Sequence, residues 1–367
     1  VKLPMSHVIA TKWLCGGSHA RPASAHRSAR GEAKDLFSAL AVMYLFLGGS
    51  GAGAVVVLSS LEFCDAQRHQ GQSRRAAVAR AGLRGRAGLA STPAASGRSL
   101  GLPRNFYARA WPFAFVLLCA GVLCLLCDIG RPDRLLALVS HPSFSALAVG
   151  AWALVACLLA AGAFMALSVF EGVDMPLAGV RALSAVGVIA GLLTAAYTGV
   201  LLQGMASIVL WQSAFLPAAF VCSSLSCGIA CVFASLAFTE SRQPLNAFAV
   251  RLAGVDSALI VLELAFVGGV VAVGFAEPAA RDAAWSLVGG EYRWLFWGGL
   301  VGLGLAAPFV LERVSAPERR RTLLLWTACL VLAGGFALRW CIVGAGAYDV
   351  TQMPEALYGL STFGLTG

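Results

Sequence analysis

The chain has 367 residues, of which 59% are hydrophobic and only 12% are charged, and its mean hydropathy is +0.78. An ordinary water-soluble domain is excluded, because such domains contain about 25% charged residues. A transmembrane β-barrel is also excluded, since barrel strands alternate apolar and polar residues and the apolar runs of this chain do not. The composition therefore predicts an all-α integral membrane protein.

Eight apolar runs are each long enough to cross a bilayer, which takes about 20 helical residues. The runs cover residues 36–62, 107–128, 144–170, 179–203, 213–239, 253–276, 294–312 and 322–347. We expect a bundle of eight transmembrane helices within residues 36–347. A basic N-terminal tail at 1–35 and a C-terminal tail at 348–367 complete the predicted organisation.

Residues 65–104 form an arginine-rich linker between the first two spans. Its basic residues are Arg68, Arg74, Arg75, Arg80, Arg84, Arg86, Arg98 and Arg104. No aromatic residue is interleaved with them before Phe106, whereas segments that bind single-stranded nucleic acid combine basic and aromatic side chains. The linker is therefore predicted to be a solvated loop beside the membrane, and no nucleic-acid partner is expected.

The distribution of lysine and arginine predicts the orientation of the chain. Cytoplasmic loops of membrane proteins are enriched in these residues. More of them lie in the loops on the opposite side from the N-terminus than on the side of the N-terminus, and the net charge of +9 reflects this distribution. We therefore expect both termini outside, in a multi-pass protein of a membrane.

The eleven cysteines and five histidines do not form the pattern of a metal or haem site. Cys124 and Cys127 have C-x-x-C spacing, but Asp128 follows instead of the histidine that c-type haem attachment needs. Most of the other cysteines lie within apolar spans, where cysteine acts as a small hydrophobic residue. The histidines are His7, His19, His26, His69 and His141. Since none lies within a span, we expect no haem and no metal site.

Small residues predict close helix packing in three of the spans. Gly49 and Gly53, and likewise Gly298 and Gly302, are four residues apart. The fourth span has a continuous small and polar face made of Ser184, Gly187, Gly191, Thr194 and Thr198. Tyr197 lies on nearly the same side as this face, which adds a group able to contact a ligand.

Three ionisable residues lie inside the spans, where a charge is costly and indicates a functional site. Asp256 and Glu263 are two turns apart on one face of the sixth span, and Arg339 lies in the outer half of the eighth. They could pair with one another as a structural interaction, or they could form a proton route. In both cases they should face the interior of the bundle.

Polar groups from the first four spans meet at one membrane face. Tyr44 lies about two turns into the first span, Asp128 ends the second, His141 precedes the third and Tyr197 lies near the outer end of the fourth. An acid and an imidazole close together are able to move protons.

Tyr44 also shares a side of its helix with Gly48 and Gly51. The phenol is therefore expected to point over a gap lined by glycine. Apolar walls with a few hydrogen-bonding groups suit a flat, amphipathic ligand that enters from the lipid.

Four motifs in order resemble the NrfD/polysulfide reductase membrane-subunit family. They are Y-L-F-L-G-G-S-G-A-G from Tyr44, D-I-G-R-P-D-R from Asp128 with H-P-S-F-S from His141, Y-T-G-V-L-L from Tyr197 with Leu210 and Trp211 after it, and G-G-F-A-L-R-W from Gly334. The resemblance extends over all eight spans and leaves out the N-terminal tail and the arginine-rich linker.

The resemblance implies a haem-free subunit that binds menaquinone or another quinone in the bacterial cytoplasmic (inner) membrane. Such a subunit oxidises quinol, or reduces quinone, as part of a molybdopterin-type respiratory oxidoreductase complex. Its implied partners are a ferredoxin-like iron-sulfur subunit, a molybdopterin catalytic subunit and membrane lipid. The terminal catalytic reaction would belong to the molybdopterin subunit and not to this chain.

The resemblance also assigns roles to individual residues. Tyr197 matches the tyrosine that contacts the quinone head, Asp128 and Arg131 match the acidic hairpin motif, and His141 matches the His-Pro pair that starts the third span. Tyr44 stands where other members have a histidine. A phenol is a poorer proton acceptor than an imidazole, so the expected proton acceptor is Asp128 or His141.

Alternative interpretations remain open. Asp128 and Arg131 could form a salt bridge that shapes the hairpin, and His141 could cap the third helix. A secondary transporter would also have many helices, glycine breaks and buried charges. A non-catalytic membrane anchor of a redox complex would need no quinone site at all.

Overall fold

A computed structural model describes residues 39–67, 104–129, 146–170, 175–205, 208–239, 244–314 and 320–352. Within these ranges the chain forms eight helices that are long and apolar enough to cross a membrane. The predicted all-α membrane bundle is confirmed. The N-terminal tail, most of the arginine-rich linker and the hairpin residues Arg131 and His141 lie outside the described residues.

The spanning helices follow one another along the sequence. They are α1 (Ala39–Gln67), α2 (Arg104–Ile129), α3 (Ala146–Val169), α4 (Leu177–Gln203), α5 (Phe215–Ala237), α6 (Pro244–Ala276), α7 (π-helical over Leu295–Ala306, then α-helical over Ala307–Val314) and α8 (Arg320–Gln352). An even number of crossings places the start of α1 and the end of α8 on the same side, which we name the terminal face. The opposite side is named the far face.

Several helices extend further than the hydropathy pattern predicts, as α6 and α1 show. α6 begins at Pro244 and not at residue 253, and α1 continues to Gln67, past the predicted end at residue 62. Hydropathy marks only the part of a helix that lies in the hydrocarbon region. The helical hydrogen bonds continue through polar residues whose side chains reach water, as the exposed Arg251 and Gln67 do.

The helices differ strongly in burial. In α5, 83% of the most apolar window is buried inside the bundle, and in α1 and α8 the share is 67%. In α2, α6 and α7 it is only 28%. Large apolar side chains of the outer helices, such as Leu123, Leu159 and Ile189, are exposed, as lipid-facing residues are. The centre of the molecule is therefore the contact of α1 with α5 and α8.

Glycines allow α1 to touch its neighbours. A Cβ atom added at Gly53 would lie 1.7 Å from the backbone oxygen of Ser224 on α5, and one added at Gly228 would lie 2.3 Å from Gly53 itself. A Cβ atom at Gly191 of α4 would meet Val56 at 2.6 Å. The predicted packing roles of Gly49, Gly53 and the small face of α4 are confirmed.

The predicted packing role of Gly298 and Gly302 is wrong. A Cβ atom at Gly298 would meet nothing within 4 Å, and one at Gly302 would meet only Trp297 of its own helix. Instead, Gly304 of α7 packs on Gly334 of α8. The reason is that this part of α7 is π-helical, and its wider winding turns residues away from the face that a regular α-helix would present.

Candidate functional site

Tyr44 carries a buried hydroxyl group on the second turn of α1. The side chain is 3% exposed, and its ring lies along the next turn, where a Cβ atom at Gly48 would be 3.4 Å from it. The hydroxyl oxygen has no hydrogen-bond partner in the described part of the chain. A buried polar group without a partner costs about 1–3 kcal/mol, so Tyr44 presents an unused donor and acceptor.

Tyr197 approaches the same region from α4. Its ring packs directly on Gly150 of α3, since a Cβ atom there would lie only 2.1 Å from a ring carbon. Only glycine at position 150 leaves room for the ring. Tyr44 and Tyr197 interact electrostatically, and the order of the helices places both toward the terminal face.

The glycine-lined gap predicted beside Tyr44 is filled by α2. A Cβ atom at Gly121 of α2 would lie 2.8 Å from the backbone nitrogen of Gly48, and one at Gly51 would lie 2.8 Å from Leu118. The glycines therefore serve the contact between α1 and α2. Their backbones are too close to leave space for a ligand between them.

Asp128 lies at the terminal-face end of α2 and is half-buried, with one carboxylate oxygen fully buried. The contact of Gly121 with Gly48 sets its depth. Asp128 is seven residues beyond Gly121, whereas Tyr44 is four residues from Gly48, so Asp128 lies about 4.5 Å nearer the terminal face. Asp128 therefore lies at the end of α2, nearer the terminal face than Tyr44.

The segment after α4 closes part of the terminal face. Val209–Gln212 forms one 3-10 turn, in which Trp211 is buried and donates a hydrogen bond from Nε1 to the backbone oxygen of Ile342 at 2.9 Å. A Cβ atom at Gly346 would lie 2.3 Å from the Trp211 ring. Trp211 therefore fixes the connection between α4 and α5 to the end of α8.

Arg339 is fully buried in α8 and is held by three helices. Its guanidinium group donates to the backbone oxygens of Leu45 at 3.0 Å and Gly335 at 2.6 Å. It also donates to the hydroxyl oxygens of Ser223 at 3.1 Å and Ser224 at 3.0 Å. Leu45 is the neighbour of Tyr44, so Arg339 fixes the turn of α1 that carries the candidate site.

Arg339 and Ser224 can approach α1 because residue 49 is glycine. A Cβ atom there would lie 2.8 Å from Nη2 of Arg339 and 2.8 Å from the hydroxyl oxygen of Ser224. The guanidinium group also lies 5.9 Å from the ring centre of Phe46 and 5.4 Å from that of Phe220. Aromatic faces stabilise a cation that has lost its water.

Asp256 and Glu263 face the interior of the bundle, as predicted. Glu263 interacts electrostatically with Arg339. Asp256 is fully buried and accepts a hydrogen bond from Ser226 at 2.6 Å. The two carboxyl groups thus have separate partners, and only Glu263 shares the surroundings of Arg339.

Glu312 is a site residue that the sequence pattern did not reveal. It accepts a hydrogen bond from Ser257 at 2.6 Å and interacts electrostatically with Asp256. Glu312 lies at the end of the seventh apolar run and is followed by Arg313. Charged residues are common at this position, because the ends of spans lie at the membrane surface. Only the register between α6 and α7 reveals that it meets Asp256.

Comparison with known proteins identifies the family of this chain. A family model described as "Polysulphide reductase, NrfD" matches residues 31–351, which include all eight spanning helices. The C subunit of polysulfide reductase from Wolinella succinogenes is 33% identical over 252 residues, which cover 62% of this chain and 77% of that protein. Protein NrfD of Escherichia coli is 29% identical over 175 residues, covering 46% of this chain and 54% of that protein. The chain belongs to the NrfD family of polysulphide reductase membrane proteins.

Proposed function

We propose that this chain is the quinone-reactive membrane subunit of a redox complex. It oxidises quinol and passes the electrons to an iron-sulfur subunit, and the same site serves quinone reduction in the reverse direction. The observation that carries this proposal is the buried Tyr44 hydroxyl, which has no hydrogen-bond partner in the described residues.

The residues present fit a quinone. A quinone has two carbonyl oxygens that accept hydrogen bonds, and Tyr44 and Tyr197 supply hydroxyl donors in apolar surroundings of the kind that favour flat ligands. A bound quinone supplies two-electron chemistry coupled to two protons. The chain's own residues hold and orient the ring and move protons at its edge.

Asp128 is the proposed proton acceptor, with His141 as the alternative and Arg131 as the neighbouring charge. A carboxylate at the terminal-face end of α2 is able to take a proton from a quinol hydroxyl and release it to water. Tyr44 serves as a hydrogen-bond donor, because its phenol is a poor base.

The proposed partners are a ferredoxin-like iron-sulfur subunit and a molybdopterin catalytic subunit, in the bacterial inner membrane. The Wolinella succinogenes relative is by its name one component of polysulfide reductase, and therefore one subunit of a larger enzyme. Membership of the same family supports an equivalent position for this protein. We propose menaquinone or another quinone as its ligand.

Steady-state kinetics of the assembled complex test the proposal. Tyr197→Phe should raise the KM for quinol about 3- to 10-fold, since one hydrogen bond contributes about 0.5–1.5 kcal/mol. Asp128→Asn and His141→Gln are measured separately. The variant that lacks the proton acceptor should have a kcat lower by about 100-fold or more.

Tyr107→Phe is the matched control. It removes the same hydroxyl group at the far face, where Tyr107 donates to Asp65 at 2.9 Å, and should leave the KM for quinol unchanged. Unaltered quinol oxidation in all three site variants of an assembled complex would reject the site and favour a plain anchor. A protein that purifies from its native membrane without any iron-sulfur subunit would favour a transporter.

A further inference from the structure

Several buried serine and threonine hydroxyl groups of the bundle donate to a backbone oxygen one turn back on their own helix. Ser168 does so at 2.6 Å, Thr194 at 2.8 Å and Ser235 at 2.9 Å. Such a bond satisfies the hydroxyl donor locally, so the side chain needs no partner on another helix. A buried hydroxyl group that does not make this bond must find its partner elsewhere.

Ser59 on α1 and Ser184 on α4 are two buried residues that do not follow this pattern. Both side chains are fully buried, and neither hydroxyl oxygen has a hydrogen-bond partner in the described part of the chain. Each lies inside a regular α-helix, with a turn of helix on either side. A buried polar group without a partner lowers the stability of the fold, so the two positions indicate a bound ligand that completes their hydrogen bonds.

The two serines lie close together across the contact between α1 and α4. A Cβ atom at Gly187 would lie 2.3 Å from the Ser59 hydroxyl oxygen. Ser184 is three residues before Gly187 and, like it, lies on the buried side of α4. Residues three apart on a helix have Cβ atoms about 5–6 Å apart. One water molecule can bridge such a gap, since two hydrogen bonds of about 2.8 Å each span up to about 5.6 Å.

Trp111 of α2 adds a third unsatisfied polar group at the same depth. Its side chain is fully buried, and the indole N–H has no hydrogen-bond partner among the residues that the structure describes. The depth follows from the contact of Gly51 on α1 with Leu118 on α2. Since the two helices are antiparallel, the eight residues from Gly51 to Ser59 correspond to the eight from Leu118 to Ala110, the neighbour of Trp111.

Water is the ligand that fits these three groups. Two hydroxyl groups and one indole N–H provide donors and acceptors but no charge, so they do not favour an ion. The close contact of Ser59 with Gly187 leaves no room for a larger molecule between α1 and α4 at this depth. Buried waters make about three hydrogen bonds to polar groups that otherwise lack partners, and three such groups are present.

Polar residues lead from this depth to the far face. On α1, Glu62 and Asp65 follow at intervals of one turn toward the end of the helix at Gln67, and both are buried. Asp65 accepts a hydrogen bond from Tyr107 of α2 at 2.9 Å. Arg181 lies in the far-face part of α4. Water therefore has a polar route to the three groups from the far face.

We propose that Ser59, Ser184 and Trp111 form a buried water-binding site between α1, α2 and α4 that fills from the far face. The bound water joins α1 to α4 by hydrogen bonds where the two serines do not bond each other directly. Ser59 is fifteen residues from Tyr44, which is about 22 Å along the helix axis. The water site is thus separate from the proposed quinone region and does not depend on the proposed function.

Thermal unfolding of the purified full-length protein in detergent tests this site without any quinone. Ser59→Ala and Ser184→Ala should each lower the midpoint of unfolding, because each removes a hydrogen bond to the bound water. The double variant should lower it by less than the two shifts added together, since both serines act through the same water. Ser168→Ala is the matched control. It removes a buried hydroxyl group that bonds its own helix, and its shift should add to that of Ser59→Ala.

Two results of this experiment would overturn the water site. A higher midpoint in either single variant would show that its hydroxyl group is unsatisfied in the folded protein, because removal of such a group stabilises the fold. Shifts in the double variant that add fully, or exceed the sum, would show that the serines share no water.

A cryo-electron microscopy map of the wild-type complex that resolves ordered waters tests the site without any variant. We expect density within hydrogen-bonding distance of both the Ser59 and the Ser184 hydroxyl oxygens. A map that shows buried waters elsewhere in the bundle but no such density would overturn the proposal. Since neither experiment involves quinone, failure of the water site is distinguishable from failure of the proposed function.

Discussion

The hydroxyl group of Tyr44 is a polar group that the folded protein buries without a hydrogen-bond partner in the described residues. Replacement by phenylalanine keeps the ring and removes the unsatisfied group. We therefore expect Tyr44→Phe to raise the unfolding free energy of the quinone-depleted protein, by up to about 1–3 kcal/mol. The same variant should bind quinone about 3- to 10-fold more weakly.

Thermal unfolding in detergent, with and without added quinone, measures both effects. The wild type should gain more stability from quinone than Tyr44→Phe does, because ligand binding stabilises the folded state. A variant that is less stable than the wild type and still responds equally to quinone would show that the hydroxyl serves the fold and not a ligand.

The sequence shows which individual residues are unusual, but it does not show which residues they contact. Asp256, Glu263 and Arg339 are recognisable because charged residues are rare within apolar spans. That Asp256 meets Glu312 depends on the register between α6 and α7, which no local pattern encodes. Glu312 does not stand out in the sequence, because charged residues are common at the end of a span, where the membrane surface lies.

The crossing of α1 and α5 has the shortest distance for a Cβ atom built at any glycine of the described residues. Gly53→Ala would place a methyl group 1.7 Å from a backbone oxygen of α5, and a backbone atom does not move aside as the end of a flexible side chain does. We expect a loss of at least about 1–3 kcal/mol in unfolding free energy. A lower midpoint of thermal unfolding and less assembled complex in the membrane would measure it.

Gly268→Ala is the matched control for this prediction. Gly268 lies in α6, and a Cβ atom there would meet nothing within 4 Å. The change should be neutral or slightly stabilising, since alanine favours helix by about 1 kcal/mol over glycine. Equal stabilities of the two variants would contradict a packing role for Gly53.

Glycine spacing predicts the packing of one helix correctly and that of another wrongly. Four-residue spacing in α1 predicts close packing correctly, because α1 is a regular helix. The same spacing in α7 misleads, since the π-helical winding over Leu295–Ala306 changes which residues face α8. The four-residue spacing rule assumes a regular α-helix, which this segment is not.

For the whole molecule, hydropathy predicts the number of spans but not their arrangement. All eight are apolar, yet α1, α5 and α8 form the centre and the others face lipid on one side. The buried Arg339 connects these three central helices through hydrogen bonds. The turn of α1 next to Tyr44 is thus tied to the two other central helices.

Photo-crosslinking of the assembled complex with an azido-quinone, followed by mass spectrometry of the labelled peptides, tests the central claim most directly. We predict labels on α1 around Tyr44 and on α4 around Tyr197, and competition by unlabelled quinol should suppress them. The Tyr107 region at the far face should remain unlabelled. Labels confined to helices other than α1 to α4, with α1 and α4 unmodified, would contradict the proposed quinone site.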